Sequence, residues 1–346
     1  MIKAIDFFCG AGGLTRGLLD AGISVLAGVD NDEHLERTYS HNNVPSRFIN
    51  SDIKDINIHA LREALEIQSG DTTLYAACTP CQPFSTLNRL KGNDERKILL
   101  LSFARIVEEC PPDFVLVENV PGLNNAYGRE ISQRFLNILR RCRFKEAADF
   151  LDAKDFGVPQ TRKRFILVAS RHGSISLPDS GSDGKDYPTV REYIEKYPVI
   201  SDGEASADYL NHAARKLAPH HKRIVEAIPK NGGSRRDVAD TSILLKCHQK
   251  KPNVHKDVFG RIAWDAPGPT LTCRCTDVYC GRFVHPEQDR GISLREAAAL
   301  QTFEDDYEFF GTHILGISRQ IGNAVPVKFA EHLGNSIIDS HRYDRR

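Results

Sequence analysis

The sequence predicts a doubly wound α/β fold, a mostly parallel sheet with helices on both faces, followed by a second, smaller domain. Three observations carry this expectation. Short apolar runs alternate with amphipathic stretches up to residue 171, the alternation stops there, and basic residues then concentrate in one later segment. At about 150 residues per domain, 346 residues make two domains. The pattern places them at 1–171 and 172–290, with 291–346 returning to the first as helices.

The first strand, KAIDFF (3–8), runs into a turn at Gly10–Gly13 and then into the helical stretch GLTRGLLDAG. ISVLAGVD follows as a second strand ending at Asp30. TLYAA (73–77), FVLVEN (114–119) and RFILVAS (164–170) are further strands, the last two rich in Val, Ile and Phe as strands buried on both faces should be. Between them, Leu99, Phe103 and Ile106 share one helical face, and Ile131, Phe135, Ile138, Leu139 and Cys142 share another. Beyond Arg171, residues 173–186 and 201–208 are polar and read as loops. A Pro-Gly-Pro turn at 267–269 precedes TLTCRC, expected as a strand. Helical spacing returns at 293–303 and at 325–338, where Phe329, Leu333 and Ile337 recur every four residues.

The 46 basic and 46 acidic residues cancel, so no global surface charge points to a partner. Their distribution does: 213–262 holds 12 Lys or Arg against 4 Asp or Glu. Such segregation fits a polyanion-binding module, or a solvated basic face without a partner. The start, MIKAIDFFCGAGG, has neither the apolar run of an export signal nor that of a membrane span. Nine cysteines, an odd number in a chain this long, are expected as reduced thiols of a cytoplasmic protein.

A strand, a glycine turn and a helix present a sheet edge and a helix N-terminus to a nucleotide-like ligand. The spacing fails for a dinucleotide, because the third glycine is replaced by Thr15. Asp30, at the end of the next strand, can accept hydrogen bonds from a ribose, which together fit a ribose-bearing cofactor without a pyrophosphate. The fourth segment continues into Cys78-Thr79-Pro80-Cys81-Gln82-Pro83-Phe84-Ser85. Its CxxC could join Cys273, Cys275 and Cys280 in a metal site, form a redox pair, or offer Cys81 as a nucleophile at a strand's carboxyl end. Glu118, at the end of the next strand, is a candidate acid. In Gln160-Thr161-Arg162-Lys163-Arg164, strand alternation would put Arg162 and Arg164 on one face if the strand begins there, as a pair for a carbonyl or phosphate or as a basic edge that deters aggregation.

Taken together these segments resemble the DNA cytosine-5 methyltransferases of bacterial restriction-modification systems or of solitary modification enzymes. DFFCGAGG resembles the family's first motif, PCQ its nucleophile motif, and ENV and QTRKR its next two blocks. The stretch from Arg295 to Gln301 and the stretch RQIGNAVP (319–326) resemble its last two, all in family order over residues 3–338. The resemblance implies a class I, Rossmann-like S-adenosylmethionine-dependent methyltransferase with a target-recognition domain in the basic region. It implies that Cys81 adds to carbon 6 of a flipped-out cytosine, that Glu118 holds and protonates ring nitrogen 3, and that Arg164, supported by Arg162, orients the base. For S-adenosylmethionine it implies Phe8 near the adenine, Gly10, Ala11, Gly12 and Gly13 around the methionine part, Asp30 on the ribose and Asp52 on the adenine amino group. Asn31, Ile53, Pro80, Leu99, Asn323 and Ala324 complete that implied set, with no metal.

Two positions depart from the pattern: Asn31 replaces a bulky residue, and Thr79 a proline. The implied partner is double-stranded DNA, with a cognate restriction endonuclease acting separately, no membrane, and a monomeric enzyme. The rival within this chemistry is transfer-RNA cytosine methylation, whose branch carries Cys-Phe-Thr where this chain has Cys-Arg-Cys-Thr. Rivals from other classes are a catalytically silent cofactor-sensing DNA-binding protein and a zinc-stabilised nucleic-acid module built on the second cysteine cluster.

Overall fold

The computed structural model describes residues 1–79, 99–120, 126–180 and 186–343. The chain divides into two compact units: Met1–Phe156 with Lys163–Gly181 and Val325–Arg346, and Gly157–Arg162 with Ser182–Ala324. This division differs from the boundary expected at 290. The helices α9 (Leu294–Leu300) and α10 (Ile314–Asn323) pack on each other, and α9 packs on α6 (Val190–Ile194), so all three fall in the second unit.

The first unit is built on a seven-stranded sheet. Its strands are β1 (Ile2–Phe7), β2 (Ser24–Asp30), β3 (Arg47–Asn50), β4 (Thr72–Cys78), β5 (Phe114–Asn119), β6 (Lys145–Asp152) and β7 (Lys163–Ser170), in the spatial order β3-β2-β1-β4-β5-β7-β6. β1 to β5 are parallel, and β7 runs antiparallel between β5 and β6. The central strands are short and continuously apolar, as a sheet covered on both faces requires. One face buries Ile5, Phe7, Tyr75, Val115, Val117 and Leu167 under α3 (Ile58–Ala64), α4 (Leu99–Glu109) and α5 (Ala126–Arg141). Phe7, Tyr75, Phe103 and Phe135 form a run of ring contacts through this layer, with successive centroids 5.5–6.1 Å apart.

Two further helices, α1 (Gly13–Asp20) and α11 (Val327–Tyr343), pack against each other at glycines. A Cβ on Gly17 would lie 2.4 Å from the Cβ of Ala330, and one on Gly334 would lie 2.7 Å from that of Ala21. The short helix α2 (Glu36–Asn42) follows β2, and its Tyr39 ring lies flush on Gly28, where a Cβ would come within 2.4 Å.

The second unit holds α6, α9 and α10, which pack on one another, and α7 (Pro219–Ala227) and α8 (Lys246–Lys250); Ile224 and Val225 of α7 lie in a small apolar cluster with Phe259, Val278 and Val284. Among its described residues there is no named strand, only isolated bridges such as Val284 with Gly291. TLTCRC, expected as a strand, is instead an extended pair followed by a turn, in which the amide of Cys275 donates to Thr272 O. A side chain replaces the ladder there: the amide of Leu271 donates to Oε1 of Gln160.

Backbone this irregular leaves carbonyls without ladder partners, and buried arginines supply the donors. Arg261 alone reaches the carbonyls of Val225, Ile228, His285 and Gln288 as well as Asp289. Arg235 reaches those of Pro252, Val254 and His255. Both lie in the basic segment, so two of its charges are internal, while Lys216, Lys222, Arg223, Lys246 and Lys250 are exposed.

Candidate active site

The site forms where strand order changes direction. From β1 the chain goes to β2 and β3 on one side and to β4 and β5 on the other, which opens a crevice at the carboxyl ends of β1 and β4. Phe7 pairs with Ala77, so Phe8 leaves the sheet beside Cys78, the last residue of β4.

The turn after β1 needs unusual backbone. Phe8, Gly10 and Gly12 have φ of 61°, 55° and 92°, and a bulky residue such as Phe8 in that region is a true outlier, held by its neighbours. Its ring packs half-buried on the core beneath the sheet edge. Gly12 caps α1 without a side-chain hydrogen bond of its own, and within the first turn the Thr15 amide is directed at the buried Asp6 carboxyl. A Cβ on Gly10 would meet nothing within 4 Å, so the space above the turn is open.

Two carboxylates border that space. Asp30 accepts the amide of Gly10 through Oδ2 at 3.0 Å and that of Asp32 through Oδ1 at 3.1 Å, which ties the end of β2 to the turn. Burial raises its pKa against these bonds. Asp52 accepts the amide of Lys54 at 2.9 Å and starts a 3-10 turn that buries Ile53. Asn31 is exposed, and Ala11, Gly12 and Gly13 are buried in the turn and the helix start.

At the ends of β4 and β5 the register sets Cys78 opposite Glu118. Glu118 is 2 % exposed, its Oε1 is 3.0 Å from Nε of Arg164, and its Oε2 accepts the Cys78 thiol at 3.0 Å. Next to it, Nδ2 of the buried Asn119 donates to Oγ1 of Thr79 at 2.6 Å. From the sequence Cys78 is read only as one thiol of the CxxC and Asn119 only as a flank of the ENV block; their bonds to Glu118 and Thr79 show only once β4 and β5 are paired. Leu99 is the first residue of α4 and packs half-buried on the core. Cys81 and Pro80 lie outside the described residues.

Arg162 belongs to the second unit, and β7 begins one residue after it, so strand alternation does not extend to it. Its guanidinium donates to the carbonyls of Leu271 and Ala324, both at 3.0 Å, and lies 3.5 Å from that of Gly322. Gln160 donates to Leu300 O and Gln301 Oε1, and Gln301 donates to Ile321 O and Ala324 O. These bonds hold the end of α10, with Asn323 exposed at its last position and Ala324 buried just beyond. Cys275 is buried against Ser318, and among the described residues no group of three His, Cys, Asp or Glu is arranged to hold a metal ion.

The strand order with its antiparallel β7 and the crevice beside the glycine turn are those of the Rossmann-like, class I methyltransferases. Residues 2–339 match the model of the C-5 cytosine-specific DNA methylase family, and the chain belongs to that family. It is a DNA (cytosine-5)-methyltransferase of the restriction-modification type. It is 36% identical to the Type II methylase M.HgiDII of Herpetosiphon aurantiacus over 96% of this chain and 94% of that one. Identity to the Type II methyltransferase M1.HphI of Haemophilus parahaemolyticus is 31%, over 96% and 86%. Among solved structures, a proposed DNA modification methyltransferase encoded within an Escherichia coli prophage superposes with a TM-score of 0.72 at 23% identity, over 99% of this chain and 100% of that one. The Dnmt2 methyltransferase of S. pombe has a TM-score of 0.64 at 16% identity, over 99% of both chains, a likeness of fold alone.

Proposed function

We propose that the enzyme methylates carbon 5 of a cytosine flipped out of a short, specific duplex DNA sequence, through a covalent adduct of Cys81, with S-adenosylmethionine as donor. The observation that carries this reading is the position of Glu118, buried at the end of β5 with one oxygen on Arg164 and the other on Cys78, beside the strand that leads to Cys81. Carbon 5 of cytosine is a weak nucleophile. Addition of the Cys81 thiolate to carbon 6 forms the S–C6 bond and moves the ring electron pair to carbon 5, while Glu118 places a proton on ring nitrogen 3. Arg164 keeps the Glu118 carboxyl in place and orients the base. After transfer, loss of the carbon 5 proton to a base returns the electron pair and expels the thiolate.

The turn suits the cofactor in its chemistry. Asp30 and Asp52 each retain lone pairs beyond the amides they accept, enough for ribose hydroxyls and an adenine amino group, and the uncapped start of α1 suits a carboxylate. When bound, S-adenosylmethionine supplies an electrophilic methyl group. Phe8, the Gly10–Gly13 turn and Ile53 would form its walls in the first unit; in the second, Arg162, Gln160 and Gln301 hold the backbone at Asn323 and Ala324. The exposed lysines of the second unit support a role in duplex positioning, since phosphate contacts offset the few kcal/mol of base extrusion.

The test is transfer of labelled methyl from S-adenosylmethionine to unmodified duplex DNA and, separately, to transfer RNA, with bisulfite sequencing of the products. Methylated cytosines at one short recurring DNA sequence, lost with Cys81→Ser, are expected. Label in RNA alone, or full turnover by Cys81→Ser, would overturn the reading.

A further inference from the structure

Beneath the glycine turn lies a carboxyl group that the chemistry above does not use. Asp6, the next-to-last residue of β1, is fully buried, and its register partners, Gly28 of β2 and Ala76 of β4, have no polar side chain to offer its carboxyl. Its Oδ2 accepts the Thr15 hydroxyl of α1 at 2.7 Å. Because that proton is committed, Tyr39 must donate to Thr15 across 3.0 Å, and Ser46 to Tyr39 across 2.7 Å. Every proton of the chain therefore points toward Asp6. Its second oxygen, Oδ1, is buried with no hydrogen-bond partner among the described residues. The titratable groups that face it are Asp30 from β2, Cys9 from the turn and Tyr39 from α2, and none of them is a cation.

Such a group is poised between two poor states. Charged, it has a hydroxyl relay on one oxygen and nothing on the other; neutral, it must either carry its proton on Oδ1, where no acceptor waits, or carry it on Oδ2 and turn the whole relay round. We propose that Asp6 is a proton-exchanging counter-charge for the cofactor, so that a cation entering the turn expels the Asp6 proton to solvent. The inference rests on the S-adenosylmethionine reading, because the sulfonium gives that ligand a net positive charge. The O–H bond of the carboxyl breaks, the proton passes to the buffer, and the carboxylate left behind balances the cation. Burial, opposed by Thr15 and reinforced by Asp30, pushes the Asp6 carboxyl up to about 7, so the exchange falls within the working range of pH.

Calorimetric titration of the full chain with S-adenosylmethionine, without DNA, at pH 6, 7 and 8 and in two buffers of different ionisation enthalpy, tests this. The expected result is release of roughly half a proton per site at pH 7 and binding about tenfold weaker at pH 6 than at pH 8. In Asp6→Asn, whose amide oxygen can still accept Thr15, the dependence should shrink to about twofold or less. Thr15→Val removes the donor to the charged form and should move the transition to higher pH, which keeps the test alive if the Asn variant does not fold. Binding by the wild type with no proton release, or with a pH dependence that both variants share, overturns the role of Asp6 and leaves the cofactor reading intact. No binding at any pH overturns the cofactor reading and this inference with it.

Discussion

Arginine serves two opposite purposes in this protein. Arg164 is a half-buried cation facing the Glu118 carboxylate at the sheet edge, whereas Arg235, Arg261 and Arg295 are buried frames around which irregular backbone is wound. Removing the Glu118 carboxylate should therefore damage chemistry rather than folding. Glu118→Gln is expected to lower kcat by about 10²-fold or more, with the thermal midpoint little changed, in a single-turnover methyl-transfer assay. For Arg261 the expectation is reversed: a lysine cannot reach four carbonyls at once, so Arg261→Lys should destabilise the fold by roughly 3 kcal/mol or more in denaturant titration. The motif block marks Arg164, but nothing in the sequence marks Arg261 as internal. Arg261 and Lys256 sit in the same basic stretch, and only the fold reveals that one is a core residue and the other exposed. Phe8 is a similar case: the motif pointed to its role, while its left-handed backbone is imposed by the turn.

At the scale of elements, strands buried on both faces were legible because their apolar runs have no other explanation: FVLVEN is β5, and RFILVAS lies within β7. The edge strands β3 and β6 were not. RFIN is only four residues long, and KEAADFLD carries charges throughout, as an edge that resists pairing with another chain should. Strand order was equally hidden, since β5 and β7 give the same apolar signal whichever neighbour they pair with. The contact of α1 with α11 was foreshadowed only by the spacing of Phe329, Leu333 and Ile337; what lets the helices meet is Gly17. Gly17→Ala would drive a methyl group onto Val327 O and Ala330, and should cost about 1–3 kcal/mol in thermal denaturation. Because α1 begins at the glycine turn, the same variant should weaken S-adenosylmethionine binding.

Acid acts with opposite signs on the two units of the molecule. In the second, burial pushes His285 down to about 4, so the native state refuses a proton that the unfolded chain accepts below its ordinary value of 6.5. Stability is lost as pH falls between those values. Burial alone would raise Glu296, but hydrogen bonds from Arg290, its charge and that of His285 outweigh this and hold the carboxyl at about 2. That contribution is complete above the ordinary 4.5 and is lost as pH falls toward 2. Asp6 of the first unit behaves in the reverse way: its raised value favours the native state fully below 3.8, and the benefit fades as pH rises through 7. Hydrogen exchange followed from pH 7 to pH 4.5 should therefore show protection falling first around Arg290 and α9, before the β1–β2 pair is affected. Equal loss in both would contradict this assignment of charges.

The glycine turn and the helix that braces it lie some three hundred residues apart in the sequence. Translation must pass Val327 before α11 can close on α1, a contact between opposite ends of the described chain. A ribosome-bound fragment that stops before α11 carries the whole glycine motif and the Glu118 block yet has nothing to clamp the first helix. A fragment lacking α11 should thus bind S-adenosylmethionine more weakly than the full chain and transfer methyl groups more slowly.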